Sequence, residues 1–171
     1  MWHWTGRERP PFAEHATAEQ ESVWDYPRPP AIEADPREVI VRVGGVEIVR
    51  TRRALRLLET ASPPTFYLPF SDAVRDAFHA ASGSSGCEWK GTARYWTIVA
   101  GGVRLDRAAW SYDDPRAPFA AIRDHVALYP TQAECTIDGE RVLPQDGGFY
   151  GGWVTSEIVG PWKGGGGTSG W

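Results

Sequence analysis

Three places in this chain pair a two-residue turn signal with β-forming flanks, and together they restrict its fold more than any other feature. Val39–Val43 and residues 46–49 flank Gly44-Gly45, residues 94–99 and 103–105 flank Gly101-Gly102, and residues 135–137 and 140–142 flank Asp138-Gly139. Such pairs take the positive φ angles of tight hairpins, because glycine lacks the Cβ that forbids them. Three hairpins with short linkers predict antiparallel sheets rather than crossover βαβ units. The expected class is mainly β (a β-rich α+β protein), with two antiparallel sheets and two or three short helices. Ser71 as N-cap, with Val74, Ala77, Phe78 and Ala81 on one face, predicts a helix over 72–81. Residues 52–59 and 118–124 are each expected to form about two helical turns.

A length of 171 residues suits one domain that buries its own core. Residues 1–21 are polar and aperiodic, an expected weakly ordered arm on which Trp2 and Trp4 can still dock. Residues 22–171 form the expected domain, including a Trp/Gly-rich C-terminal extension over 136–171. Residues 24–30 carry three prolines and read as an extended surface strap. Residues 160–171 hold six glycines, too many for a helix or interior strand, so this tail is either mobile or held by its tryptophans.

Net charge is −4, which gives no pull toward nucleic acid or anionic lipid. Cys87 and Cys135 are far apart and the four histidines lack ligand spacing, so no metal or other cofactor is expected. No apolar run approaches the roughly 18 residues of a membrane span, and no signal peptide is recognisable, so the expected address is the cytoplasm without membrane contact.

Chemistry concentrates in tryptophan and lysine. The nine tryptophans include Trp24, Trp89, Trp153 and Trp162, which sit beside glycine, lysine or proline rather than within aliphatic runs. Large rigid rings in such company suit a cavity wall as well as a core. Of eighteen basic residues only Lys90 and Lys163 are lysine, and both stand in the tripeptide Trp-Lys-Gly. Lysine is a compact ammonium that sheds its proton when desolvated or aims three donors at an oxyanion, which arginine does not. A cation–π turn contact is the structural alternative for both, and for Lys163 a structural or lid role is expected.

Other arrangements are weaker. The glycine-rich tail has its lysine before the glycines, the reverse of a P-loop. No Gly-x-Ser-x-Gly elbow exists, and Gly83-Ser84-Ser85-Gly86 reads as a flexible loop. Cys87 beside Lys90 is a possible thiolate or a small buried hydrophobe. Asp124-His125 are neighbours whose side chains diverge.

Several stretches together resemble the domain of unknown function 427 family, also labelled nucleotidyltransferase-like. They are Trp24-Asp25-Tyr26-Pro27-Arg28-Pro29-Pro30, Leu57-Leu58-Glu59-Thr60, Cys87-Glu88-Trp89-Lys90-Gly91-Thr92, Ala109-Trp110-Ser111-Tyr112, Phe149-Tyr150-Gly151-Gly152-Trp153 and Gly160-Pro161-Trp162-Lys163-Gly164. The resemblance covers roughly residues 23–171. It departs at Glu88, where many relatives have proline, and at Trp162, where phenylalanine is usual. It implies a β-tent-like fold, two antiparallel sheets leaning together, as in the thalidomide-binding domain of cereblon and the methionine-R-sulfoxide reductases. Those relatives hold small ligands with aromatic residues; the four-cysteine zinc site many of them carry is missing from this sequence.

The reading is therefore a small-molecule-binding protein, with an enzyme among the readings left open, and with Lys90 and Glu59 as the candidate catalytic pair. Trp24, Tyr67, Trp89, Tyr95, Trp110 and Lys163 are the expected ligand-binding residues. A protein-interaction or self-association module using exposed tryptophans, as in a homo-oligomer, is the second reading. Nucleotidyl transfer is the third; it wants converging carboxylates, and Asp113-Asp114 stand before a proline in a loop.

Overall fold

The computed structural model describes residues 3–171. Its strands are β1 Glu21–Ser22, β2 Ala31–Asp35, β3 Val39–Val43, β4 Val46–Thr51, β5 Ala54–Glu59, β6 Ser62–Pro69, β7 Phe78–Cys87 and β8 Gly91–Ala100. The remainder are β9 Val103–Ser111, β10 His125–Leu128, β11 Glu134–Ile137, β12 Glu140–Arg141, β13 Leu143–Pro144, β14 Trp153–Val154 and β15 Ile158–Val159. The protein is mainly β, as expected, with several antiparallel sheets. One runs β2-β5-β6-β10-β9-β8-β7 and a second β12-β11-β3-β4, while β13 pairs β14 and β1 pairs β15 in parallel.

All three hairpins form at the expected turns. Both central residues have positive φ in each: 57° and 77° at Gly44-Gly45, 57° and 74° at Gly101-Gly102, 45° and 83° at Asp138-Gly139. The first two tips touch, and a Cβ on Gly101 would collide with the Gly44 carbonyl. Glycine is thus required there for close approach as well as for backbone angle.

Two elements expected to be helical are strands. Residues 52–59 contribute β5, whose Leu55 and Leu57 pair with Tyr67 and Thr65 of β6. Leucine and arginine favour helices in isolation, but burial on both faces of a central strand outweighs that preference. Residues 72–81 hold the end of one 3₁₀ turn, Phe70–Asp72, the whole of a second, Arg75–Ala77, and the start of β7. Phe78 there pairs with Ile98, and Val74, placed on the expected apolar face, is exposed. The 3₁₀ segment Ala117–Ile122 overlaps the third expected helix, 118–124. Ser84, Ser85 and Gly86, read as a loop, pair with Arg94, Ala93 and Thr92.

The large sheet is apolar on both faces, because successive side chains point opposite ways. Phe66, Leu68, Trp96, Ile98, Val126 and Leu128 pack against Val39, Val41, Val43, Ile48 and Val49 of the smaller sheet as the main core. Leu57, Tyr67, Ala93, Tyr95, Trp110 and Ala127 project from the other face into a second cluster.

The termini are packed rather than loose. Glu14 donates to the Gly160 carbonyl at 2.8 Å, His3 to that of Gly170 at 2.8 Å, and Ala13 is buried. The strap holds Trp24 and Tyr26 buried instead of lying on the surface. Trp24 rests against Trp4, Phe12 and Trp171 at ring distances of 6.1, 5.3 and 5.3 Å, and its indole donates to the Pro161 carbonyl at 2.8 Å. Trp2 lies outside the described residues.

Candidate functional site

The second face of the large sheet opens into a cavity of about 330 Å³. Strand alternation aims its walls: Leu57 and Glu59 come from β5, Thr65 and Tyr67 from β6, Tyr95 from β8 and Trp110 from β9. Tyr112 and Tyr129, just beyond β9 and β10, complete the aromatic floor. The Trp110 and Tyr129 rings lie 4.5 Å apart, and the Tyr95 hydroxyl donates to Ser85 at 2.8 Å. Burial holds the Tyr67 and Tyr112 phenols above their ordinary values and pushes Tyr129 up to about 12, so these hydroxyls stay neutral.

The first lysine enters from the β7–β8 hairpin. Cys87 pairs with Gly91, Gly91 has a φ of 106°, and Arg116 donates to the Lys90 carbonyl at 2.9 Å. This tight loop swings Trp89 and Lys90 over the cavity, and the Lys90 Nζ lies 5.6 Å from the Tyr112 ring centroid. Burial presses the Lys90 ammonium toward losing its proton, but Tyr67, Cys87 and Glu59 outweigh it, and its pKa is raised. Of these, the Glu59 carboxylate is the partner that acts at neutral pH.

The second lysine comes from the tail. Lys163 is only 6% exposed, anchored by its N–H to the Ala61 carbonyl at 2.9 Å and by Gln145, which donates to its carbonyl at 2.7 Å. Its Nζ lies 3.8 Å from Glu59 Oε1 and 4.9 Å from the Tyr150 ring centroid. Arg28 reaches the same Glu59 oxygen at 3.4 Å. Burial lowers the Lys163 pKa, and the positive charges of Arg28 and Lys90 reinforce it against the pull of Glu59. The two lysines of one motif thus meet at one cavity with their proton affinities driven apart.

Seven of the eight expected residues border this space: Glu59, Tyr67, Trp89, Lys90, Tyr95, Trp110 and Lys163. Trp24 does not; it belongs to the terminal aromatic cluster described above. Lys163 is a buried wall residue rather than part of a mobile tail or lid. Sequence reasoning missed Tyr112, Tyr129, Ser62, Gln145 and Tyr150 as wall residues. Tyr112 and Tyr150 fall inside the stretches that carried the family resemblance, and that position was the available signal. Trp89 Nε1 and Ser62 Oγ are buried without a hydrogen-bond partner among the described residues. At the rim, Phe149 is 73% exposed.

Among the described residues no three His, Cys, Asp or Glu side chains gather at metal-binding distance. Asp113 and Asp114 pair with Arg94 and Arg123 at 3.1 and 3.0 Å instead of facing the cavity. No tryptophan is among the exposed large hydrophobic side chains of the described residues. No described helix is long and apolar enough to cross a membrane.

Fold and site define a mainly antiparallel-β protein with an aromatic cavity that carries two lysines. The family model described as domain of unknown function (DUF427) matches residues 31–139, well over half of the chain, and the protein belongs to that family. The matched region includes Glu59, Tyr67, Trp89, Lys90, Tyr95 and Trp110, while Gln145, Tyr150 and Lys163 complete the cavity from beyond it. A comparison with curated proteins finds no match.

Proposed function

We propose that the protein binds a small molecule with a planar ring and an anionic oxygen group in this cavity. The observation that carries the reading is the convergence of Lys90 and Lys163, the chain's two lysines, on one ring-walled space. A space of about 330 Å³ accommodates a small metabolite or drug-sized molecule. The rings of Tyr112, Trp110 and Trp89 suit a flat apolar body. The Lys90 ammonium at the cavity wall and the buried Trp89 N–H, which has no partner among the described residues, both offer donors, which favours a carboxylate or phosphate on the ligand. The interaction-module reading loses ground because no described tryptophan is fully exposed. A cytoplasmic address belongs to the same proposal, since the free thiol of Cys87 beside the cavity suits a reducing compartment.

The test is quenching of intrinsic fluorescence by a panel of aromatic carboxylates and phosphates. At least one is expected to bind saturably, and Lys90→Met is expected to weaken it tenfold or more, about 1.4 kcal/mol, within the range of a charge-assisted hydrogen bond. Val74→Ala, at an exposed side chain off the cavity wall, is expected to leave the affinity unchanged. A flat response across the panel, or equal affinity in Lys90→Met, would refute the reading.

A further inference from the structure

We propose that Lys163 forms an imine with a carbonyl carbon of the bound molecule, which narrows the ligand class to aldehydes and ketones bearing an anionic group, planar oxo acids above all. This inference rests on the cavity being a small-molecule site and adds the chemistry done there.

An amine that captures a carbonyl needs a fixed position, access to the ligand, an environment that disfavours its protonated form and a nearby group to move protons. Lys163 has all four. Its backbone is clamped on both sides, by the hydrogen bonds to Ala61 and from Gln145, so a glycine-rich tail presents a fixed side chain. Its Nζ borders the cavity under the Tyr150 ring. Desolvation, the Arg28 guanidinium and the Lys90 ammonium oppose its positive charge, against the pull of the Glu59 carboxylate, Cys87 and the face of the Tyr150 ring. Glu59 Oε1 at 3.8 Å is the proton carrier.

The steps balance without an outside reagent. Glu59 takes a proton from the Lys163 ammonium, and the amine lone pair adds to the carbonyl carbon while the carbonyl oxygen gains the amine's proton. Glu59 then returns its proton to the resulting hydroxyl, the C–O bond breaks, and water leaves as the C=N bond forms. Ammonium and carbonyl become iminium and water. Lys90 stays an ammonium throughout and holds the ligand's anionic end. Two lysines are required because one must keep its proton and the other must shed it, and their surroundings divide them in that sense.

The experiment incubates the full chain with 4-formylbenzoate or phenylpyruvate and sodium cyanoborohydride. Intact mass and peptide mapping then locate any reduced adduct, seen as the probe's mass less one oxygen atom. Lys90 and Lys163 are the only lysines, so with the terminal amine they are the primary amines that can react. The expected result is a saturable adduct on Lys163, at least tenfold less in Lys163→Arg, and a higher half-saturating concentration in Lys90→Met. Mapping in the wild-type chain decides the matter even if a variant fails to fold. Saturable fluorescence quenching by these probes with no adduct on Lys163, or with an equal adduct on Lys90 or the terminus, would overturn the imine and leave the binding site standing. Neither quenching nor adduct would overturn both.

Discussion

Replacing Trp153 by alanine is expected to cost about 3–5 kcal/mol of unfolding free energy, the range for removing a large aromatic from a packed interior. Trp153 is 1% exposed, stacks on Phe66 with ring centroids 4.8 Å apart and planes 16° apart, and donates its indole N–H to the Leu128 carbonyl at 3.1 Å. The substitution therefore empties a core site between sheets and leaves a buried acceptor without its donor. Trp153 also pairs with Pro144, next to the Gln145 that holds Lys163, so affinity at the cavity is expected to fall with stability. Urea unfolding followed by circular dichroism measures the first effect. A loss below about 1 kcal/mol would show that the site relaxes around the missing ring and that the packing described is not what stabilises the fold.

Replacing Arg56 by methionine is expected to cost about 2–3 kcal/mol, just below the range for breaking a fully buried ion pair, because its partners Glu21 and Glu33 are partly hydrated. Arg56 reaches both Glu21 oxygens at 3.0 and 3.2 Å, Glu33 at 3.0 Å and the buried Asp35 at 3.7 Å, joining β1, β2 and β5. Burial works against ionisation of Glu21 and Asp35, but Arg56 and the Tyr26 hydroxyl at Glu21, and Arg37 at Asp35, outweigh it and hold both carboxyls below their ordinary values. A carboxyl with a depressed folded-state pKa contributes stability that is present above its unfolded pKa, near 4, and lost as pH falls through the folded value. The wild-type melting temperature should thus drop below about pH 4, and the drop should be shallower in Arg56→Met, where Glu21 has lost its main counter-charge. Identical acid profiles would remove the cluster from the stability account.

Much of the fold was legible because hairpin turns are local. Gly44-Gly45, Gly101-Gly102 and Asp138-Gly139 need only their own backbone angles and β-forming flanks to be recognised. The misread segments depend on distant partners. Residues 52–59 look helical until β2 and β6 flank their β5 portion, and Phe78–Cys87, rich in small residues, becomes a strand only by pairing along β8. The same distinction explains the site. Trp89, Lys90 and Lys163 stood out through a repeated tripeptide in a chain otherwise supplied with arginine. Trp24 carried the same aromatic signal, yet the terminal segments drew it into their own cluster. No local rule foretold that Lys163 would be buried beside Glu59, because that placement rests on Ala61 and Gln145, far away in sequence. The relative roles of the lysines changed with it: Lys163, read as structural or a lid, has the lowered proton affinity, and Lys90, read as meeting an oxyanion or acting as a base, keeps its charge.

With two lysines in the chain, ¹³C-lysine labelling yields only two Cε signals, and their titration with and without a bound aromatic carboxylate tests the shared cavity most directly. One signal, absent in Lys163→Arg, should titrate below the ordinary lysine value of 10.5 and the other above it, and the ligand should move both together. Two signals with one ordinary midpoint, or a ligand that shifts neither or only one, would contradict the account.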